Sequence, residues 1–306
     1  MTVLRLQWAK RGPVRFISHR DVARVWERAS RRARVPLAFS QGFSPHPKVS
    51  FGLALPLGWE SDAEYVDVTL ADPMGADEVA TVLNAVLPEG MSVVAAAEID
   101  PSLPSAASTV QWADYLVFLA GPEGEGSPDG DVRSALEALR SMDRWMAPAR
   151  RKGRLTDGPP DDLRPHVVSL DVVDPLGLGP LDVAIAAPNG PNPAVLTMRL
   201  ATQPRVVRPE EVCAAISAAG PAAIAPRLVR RTAQVFVLDG AAVDPLAPVP
   251  LPAGGPHIPS VADSGPHQGS GRPRSALPPA PPDHGDHHVA GEKASSLLHA
   301  EVPTPT

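Results

Sequence analysis

The chain is poor in cysteine, since Cys213 is the single one among 306 residues. One cysteine excludes a disulfide within the chain, and it excludes a metal or iron–sulfur site built from the cysteines of one chain. The stretch around it, EEVCAAISAA, is apolar and favours a buried core thiol. We therefore expect no cofactor to be bound through thiolates, and no other pattern predicts a cofactor.

Long apolar runs are also missing. No run reaches the ~20 apolar residues that a membrane-spanning helix needs, and the N-terminus has no apolar signal-peptide segment. We expect a cytoplasmic protein that has no membrane partner. Since 43% of the residues are hydrophobic, the chain has enough apolar surface to form a core.

Aromatic residues are absent from residue 244 onward, where fourteen of the 38 prolines and six of the nine histidines lie. Such a segment buries too little apolar surface to offset the entropy lost on ordering. We predict a disordered Pro/Gly/His-rich tail over residues 241–306. His284, His287 and His288 are at best a weak transition-metal site, so no metal site is predicted.

Positive charge is concentrated in residues 1–55, which carry eleven Lys/Arg and two acids, although the whole chain has a net charge of −6. Ser18 is a good N-cap there, and Pro36 ends the predicted helix soon after Arg34. The apolar face of this helix carries Val22, Val25, Trp26, Ala29 and Ala33. The other face carries Arg20, Arg24, Arg28, Arg31 and Arg32. A basic face in an acidic protein is typical of a polyanion site, and the alternative is a solvated arginine-rich surface.

A compact turn follows the helix at residues 41–47. Gly42 allows a positive φ, and two prolines stiffen the backbone around His46. Such a loop would present Phe43 and His46 for stacking on a base or for proton transfer, with Lys48 beside them. The alternative is a tight connection in which Phe43 packs into the core and His46 is merely exposed.

A second basic segment, RRKGR, occupies residues 150–154 and is followed by DDLRPH. We take Arg151, Lys152 and Arg164 as further candidate nucleic-acid contacts. A solvated loop is the alternative. If both halves of the chain turn these segments to one side, the helix arginines, His46 and Arg164 would line a single cleft.

The order of elements over residues 1–100 is β-α-β-β-α-β, which predicts a ferredoxin-like α+β domain. Residues 101–108 are predicted as a linker, and residues 109–240 show the same kind of alternation. We therefore predict two tandem ferredoxin-like, antiparallel-sheet domains before the tail. In the strand at residues 64–71, apolar residues alternate with Glu64, Asp67 and Thr69, as in a half-buried strand.

The motifs RFISHRD, ERASRRA and PLAFSQGFSPHPKVSFGLALPLGWESDAEYVDV resemble the radical-SAM-linked protein family. The resemblance covers roughly residues 1–235 and is densest before residue 70. It implies a partner, a separately encoded radical S-adenosylmethionine protein, and it carries over no catalytic residues because the family has none established. The cysteine triad of radical-SAM enzymes is absent, so this chain does not run that chemistry itself.

Together these patterns predict a non-catalytic accessory protein that binds RNA and presents it to the radical-SAM partner, in RNA modification or processing. One alternative is a metal-independent endoribonuclease in which His19 or His46 acts as general acid or base. A second alternative is a protein–protein adaptor whose basic face meets an acidic surface of that partner.

Overall fold

One large, mostly antiparallel sheet organises the fold, and few helices accompany it. The structure is a computed structural model that describes residues 1–119, 129–151, 154–155, 157–173, 194–220 and 224–247. All of these belong to one compact unit formed by residues 1–260. Residues 241–243 of the predicted tail form a strand that pairs with residues 236–238, so disorder from residue 241 onward is wrong for them. The tail from residue 248 lies outside the described residues, and its disorder stays a prediction.

The described part of the chain contains thirteen strands and five α-helices. The strands are β1 (Thr2–Lys10), β2 (Val49–Phe51), β3 (Glu60–Leu70), β4 (Met91–Ile99), β5 (Val110–Leu119), β6 (Met146–Ala147), β7 (Arg150–Arg151), β8 (Arg154–Leu155), β9 (Asp161–Asp162), β10 (Val167–Val173), β11 (Val195–Ala201), β12 (Pro226–Leu238) and β13 (Ala241–Val243). The helices are α1 (His19–Arg32), α2 (Ala76–Asn84), α3 (Ala106–Thr109), α4 (Asp129–Ser141) and α5 (Pro209–Ala219). Short 3₁₀ segments span Gly12–Phe16 and Arg164–His166.

Among the described residues, nine of these strands form the main sheet in the order β10-β11-β5-β12-β3-β1-β4, with β13 added to β12 and β2 added to β3. Every pair is antiparallel except β12 and β3, which pair in parallel where Arg230 lies opposite Glu60. The sheet therefore runs through both segments predicted as domains. The predicted linker leads into α3, and Ala106 of this helix is buried. The proposed domain boundaries stay predictions.

Helix α1 is anchored to the sheet by its apolar face. Its start is capped by Ser18, whose Oγ accepts a hydrogen bond from the backbone N–H of Asp21 at 3.2 Å. The Ser18 hydroxyl donates to the Asp21 carboxylate at 2.7 Å, and this bond lowers the pKa of Asp21. Trp26 meets Trp8 of β1 edge-to-face at 5.5 Å, and both are buried. The predicted helix and its buried face are confirmed.

Cys213 lies in the core that α4 and α5 form against the other half of the sheet. It is 1% exposed, and burial raises the pKa of its thiol to about 12 because the thiolate would lose its hydration. At neutral pH the thiol is therefore protonated and poorly nucleophilic. The prediction of a buried core thiol is confirmed.

Strand β3 is buried on both faces, so the expectation of a half-buried strand at residues 64–71 is wrong. Glu64 and Asp67 are 5% and 9% exposed. Asp67 accepts two hydrogen bonds from the Arg5 guanidinium, at 2.7 and 2.9 Å. Glu64 accepts one from Arg231 at 2.8 Å. The acids are tolerated inside because each one meets a guanidinium from a neighbouring strand.

Across the described residues, no helix combines the length and the apolar character that crossing a membrane requires.

The two tyrosines of the chain give a pH test of the fold. Burial raises the pKa of both Tyr65 and Tyr115, whereas tyrosines of an unfolded chain ionise near about pH 10. Above that pH the unfolded state binds fewer protons than the folded state, so the free energy of unfolding falls as pH rises. In an alkaline titration we expect phenolate absorbance to appear only together with the loss of circular dichroism. A tyrosine that ionises near about pH 10 in the folded protein would contradict this.

Candidate nucleic-acid interface

The exposed face of α1 carries all the arginines that the sequence assigned to it. Each of them is exposed to solvent, and the opposite face of the helix packs on the sheet. These residues are Arg20, Arg24, Arg28, Arg31 and Arg32. The structure therefore presents them together on one surface, which we call the basic face.

Two members of the basic face form ion pairs within the helix. Arg24 lies 3.1 Å from Asp21, and Arg31 lies 3.2 Å from Glu27, with all four side chains about half exposed or more. Exposed pairs of this kind contribute about 0–1 kcal/mol, so an incoming phosphate competes with them easily. Arg20, Arg28 and Arg32 have no carboxylate partner among the residues that the structure describes. The described acids therefore leave part of the basic face without a counter-charge.

Surface hollows flank the C-terminal half of α1 on both sides. One, of about 600 Å³, is lined by Arg28 and Arg32 together with residues 85–88. The other, of about 310 Å³, is lined by Arg31, Arg34 and Phe39. Phe39 is 53% exposed. The structure thus adds Arg34 and an aromatic ring to the predicted contacts.

The loop at residues 40–47 is closed by two hydrogen bonds at its base. The Ser40 N–H donates to the His46 carbonyl at 2.8 Å, and the His46 N–H donates to Ser40 Oγ at 3.0 Å. At its tip Gly42 has a φ of +133°, and the Phe43 side chain is fully exposed. The alternative in which Phe43 packs into the core is therefore wrong. Lys48 is also exposed, just after the loop.

The two histidines proposed as catalytic alternatives occupy different surroundings. His19 begins α1 and is exposed, and its ring meets Phe51 edge-to-face at 5.4 Å. His46 is exposed in the loop, where its backbone holds the loop closed. A ribonuclease mechanism that uses either imidazole stays a prediction.

The second basic segment is only partly described. For Arg151 the backbone forms part of β7, and Lys152 lies outside the described residues. Arg164 is exposed, but its guanidinium donates to the Met142 carbonyl just after α4. Among the described contacts, no hydrogen bond, ion pair or ring contact joins Arg164 to α1. The single cleft expected from the sequence stays a prediction.

Buried ion pairs, which the sequence reading missed, lie where β12 meets β3. Arg230 donates to Glu60 at 2.8 Å, and Arg231 donates to Glu64 at 2.8 Å. Both arginines are 1% exposed. Lys10 is also buried nearby, and burial lowers the pKa of its ammonium while the Glu64 carboxylate opposes this shift. The signal available in the sequence was a pair of adjacent arginines inside a strand rich in apolar residues.

Comparison with known proteins identifies a family but no activity. A family model described as an uncharacterized protein conserved in bacteria (DUF2344) matches residues 4–209. The matched segment contains every residue predicted as a nucleic-acid contact. No curated protein matches the chain.

Proposed function

Because the chain belongs to the DUF2344 family, which is described as uncharacterized, we propose its function from the basic face of α1. The protein is a non-catalytic RNA-binding accessory that presents RNA to a separately encoded radical-SAM protein, in RNA modification or processing. The observation that carries this proposal is the exposed row of guanidinium groups. Three of them, on Arg20, Arg28 and Arg32, have no carboxylate partner in the described part of the chain.

Exposed rings beside the basic face favour RNA with unpaired bases over other polyanions. Phe43 is fully exposed and Phe39 about half exposed, on the segment that follows α1. Bases of single-stranded RNA stack on such rings, while guanidinium groups bind the phosphates. A duplex offers no free base faces to these side chains. We therefore assign single-stranded RNA as the ligand of this surface.

The proposal of a radical-SAM partner rests on the sequence resemblance over roughly residues 1–235. The chain itself has one cysteine, which is buried, so it has no thiolate triad to hold an iron–sulfur cluster. Catalysis then belongs to the partner, and this chain supplies the RNA.

The proposed architecture is a tandem pair of ferredoxin-like units. Two observations support it. The first half has the strand order β4-β1-β3-β2, and the second half has the order β12-β5-β11-β10. In each half, the two main-sheet strands that flank a helix in the chain are separated in the sheet by one other strand, as a βαββαβ unit requires.

The test is a binding titration with a fluorescein-labelled single-stranded RNA at several salt concentrations. In the variant Arg28→Gln/Arg32→Gln we expect affinity to fall about tenfold or more, because two charge-assisted phosphate contacts are lost. The plot of log affinity against log salt should become less steep by about 1.4, since each lost contact to single-stranded RNA removes about 0.7 from the magnitude of its slope.

The matched control is Arg133→Gln/Arg140→Gln, which removes the same charge from exposed positions of α4. This control should bind RNA with the affinity and salt slope of the unmodified protein. Equal losses in both variants would show a general charge effect and overturn the assignment of α1. If the protein fails to bind RNA even at low salt, the basic face is better explained as an adaptor surface for a protein.

A further inference from the structure

A cavity of about 640 Å³ opens between the segment that follows β2 and the segment that precedes α5. Its described lining includes no residue of α1, so it is separate from the basic face. The apolar part of its wall comes from Leu53, Pro56, Pro204 and Val206. Cavities of about 300–1,000 Å³ are the size that binds small organic molecules.

Three guanidinium groups and one carboxylate also line this cavity. Arg205 is held by Asp161 at 3.1 Å and by Glu211 at 2.7 Å, and Arg231 is held by Glu64. Arg208 is half-buried and has no carboxylate partner in the described ranges. Of the three carboxylates that pair with these groups, only that of Asp161 lines the cavity. Since Arg205 and Arg231 are each paired, the guanidinium of Arg208 supplies the cationic excess of the described wall.

Two of these arginines have N–H groups that nothing described satisfies. Nη1 of Arg205 and Nε of Arg231 are buried without a described hydrogen-bond partner, as is Oε2 of Glu210 beside the Trp59 indole. Arg231 is 1% exposed, and leaving a buried charged donor unpaired is costly. A carboxylate or phosphate has the several acceptor oxygens that such donors need. The unpaired donors thus point to an anionic group in this cavity.

An aromatic wall completes the site. The rings of Trp59 and Tyr115 meet edge-to-face at 5.7 Å, and both residues line the cavity. Burial raises the pKa of Tyr115, so its hydroxyl is neutral at physiological pH and adds no negative charge. The Trp59 indole N–H is already used, since it donates to Glu210 at 2.9 Å. Trp59 and Tyr115 are 7% and 3% exposed, so the wall offers a small area of ring surface to a flat, apolar group.

We propose that this cavity binds a small organic anion that carries a planar ring. A nucleoside monophosphate and an aromatic carboxylic acid share this chemistry. The site goes beyond RNA binding by α1, because its residues come from other segments and its ligand is small.

The test uses anilinonaphthalene sulfonate, a fluorescent aromatic anion, as the probe. We expect one saturable site on the full-length protein and weaker binding of the uncharged phenylnaphthylamine. Val206→Glu places a carboxylate at the mouth, and Arg208→Gln removes the unpaired guanidinium. Each should weaken binding of the anionic probe about tenfold or more, because the cationic excess of the wall is reduced.

The matched control is Val94→Glu, a valine on β4 that is 57% exposed, compared with 47% for Val206. This control should leave probe binding unchanged, and circular dichroism should show that all three variants are folded. Displacement of the probe by adenosine monophosphate or by benzoate then identifies which anion the site takes. Displacement by neither, or probe binding that Val206→Glu and Arg208→Gln leave unchanged, would overturn the proposal.

Discussion

Replacing Glu64 by leucine is expected to lower the free energy of unfolding by about 3–5 kcal/mol, because the change leaves a buried charge without its counter-charge. Glu64 accepts a hydrogen bond from Arg231 at 2.8 Å, and both side chains are less than a tenth exposed. With leucine in place, the guanidinium still donates to the carbonyls of residues 53 and 54, which carry no full negative charge. Chemical denaturation, followed by tryptophan fluorescence, measures this loss.

The expected loss is large because Glu64 faces a second cation as well. Lys10 is 2% exposed, and its ammonium donates to the Ile17 carbonyl at 3.1 Å. The carboxylate of Glu64 favours the charged form of this ammonium, whereas burial disfavours it. In Glu64→Leu the pKa of Lys10 should therefore fall further, and the variant should recover some stability as pH rises toward that of an unperturbed lysine.

A double-mutant cycle separates the pair from its surroundings. Arg231→Leu alone should also destabilise, because it leaves the Glu64 carboxylate buried with fewer partners. The loss in the free energy of unfolding should be clearly smaller for the double variant than the sum of the losses for the two single variants, since both charges are then absent. Additive losses would show that Glu64 and Arg231 do not stabilise each other. The double variant also removes one arginine from the cavity, so its effect on probe binding is read separately.

Local patterns in the sequence were sufficient to predict many of the elements. The alternating or continuous apolar runs at residues 91–99, 110–119, 167–173 and 195–201 became strands with those bounds. The capping residue Ser18 and the spacing of the apolar residues placed α1 to within a few residues. In these segments the local propensity and the packed structure favour the same conformation.

Contacts between distant segments were not predictable in the same way. The sequence pattern indicated a half-buried strand for Glu64 and Asp67, but β12 and β1 bring Arg231 and Arg5 to them and both carboxylates are buried. These partners are more than sixty residues away along the chain. The cavity likewise collects residues from segments near 55, 115, 205 and 231. The periodicity of one short segment contains no information about which distant segments contact it in the fold.

The basic face was predictable because it depends on one helix, whereas its neighbours were not. The arginines alternate with apolar residues at helical spacing, so their common exposure follows from the sequence alone. The exposed ring of Phe39 beside them depends on isolated bridges from Leu37 to Leu70 and from Phe39 to Pro47. These bridges hold the segment after α1 at the sheet edge, and single-sequence reasoning has no signal for them.

Replacing Trp26 by alanine is expected to lower the free energy of unfolding by about 3–5 kcal/mol, as for other large-to-small changes in a core. Trp26 is 2% exposed and lies between Trp8, at 5.5 Å, and Phe51, at 6.4 Å between ring centroids. These contacts fix α1 on the sheet, and the basic face is on the other side of the same helix. RNA binding should therefore weaken together with stability, as denaturation and binding titrations on one preparation would show.

Trp26→Phe is the matched control for this change. Its ring keeps most of the packing, and it removes an indole N–H that has no partner in the part of the chain that is described. Since a buried unpaired donor costs about 1–3 kcal/mol, losing it offsets part of the lost contact. We expect Trp26→Phe to be far more stable than Trp26→Ala and to bind RNA like the unmodified protein. If Trp26→Ala keeps full stability, or binds RNA normally while destabilised, then the packing under α1 does not position the arginines, and the basic face must be held by other contacts.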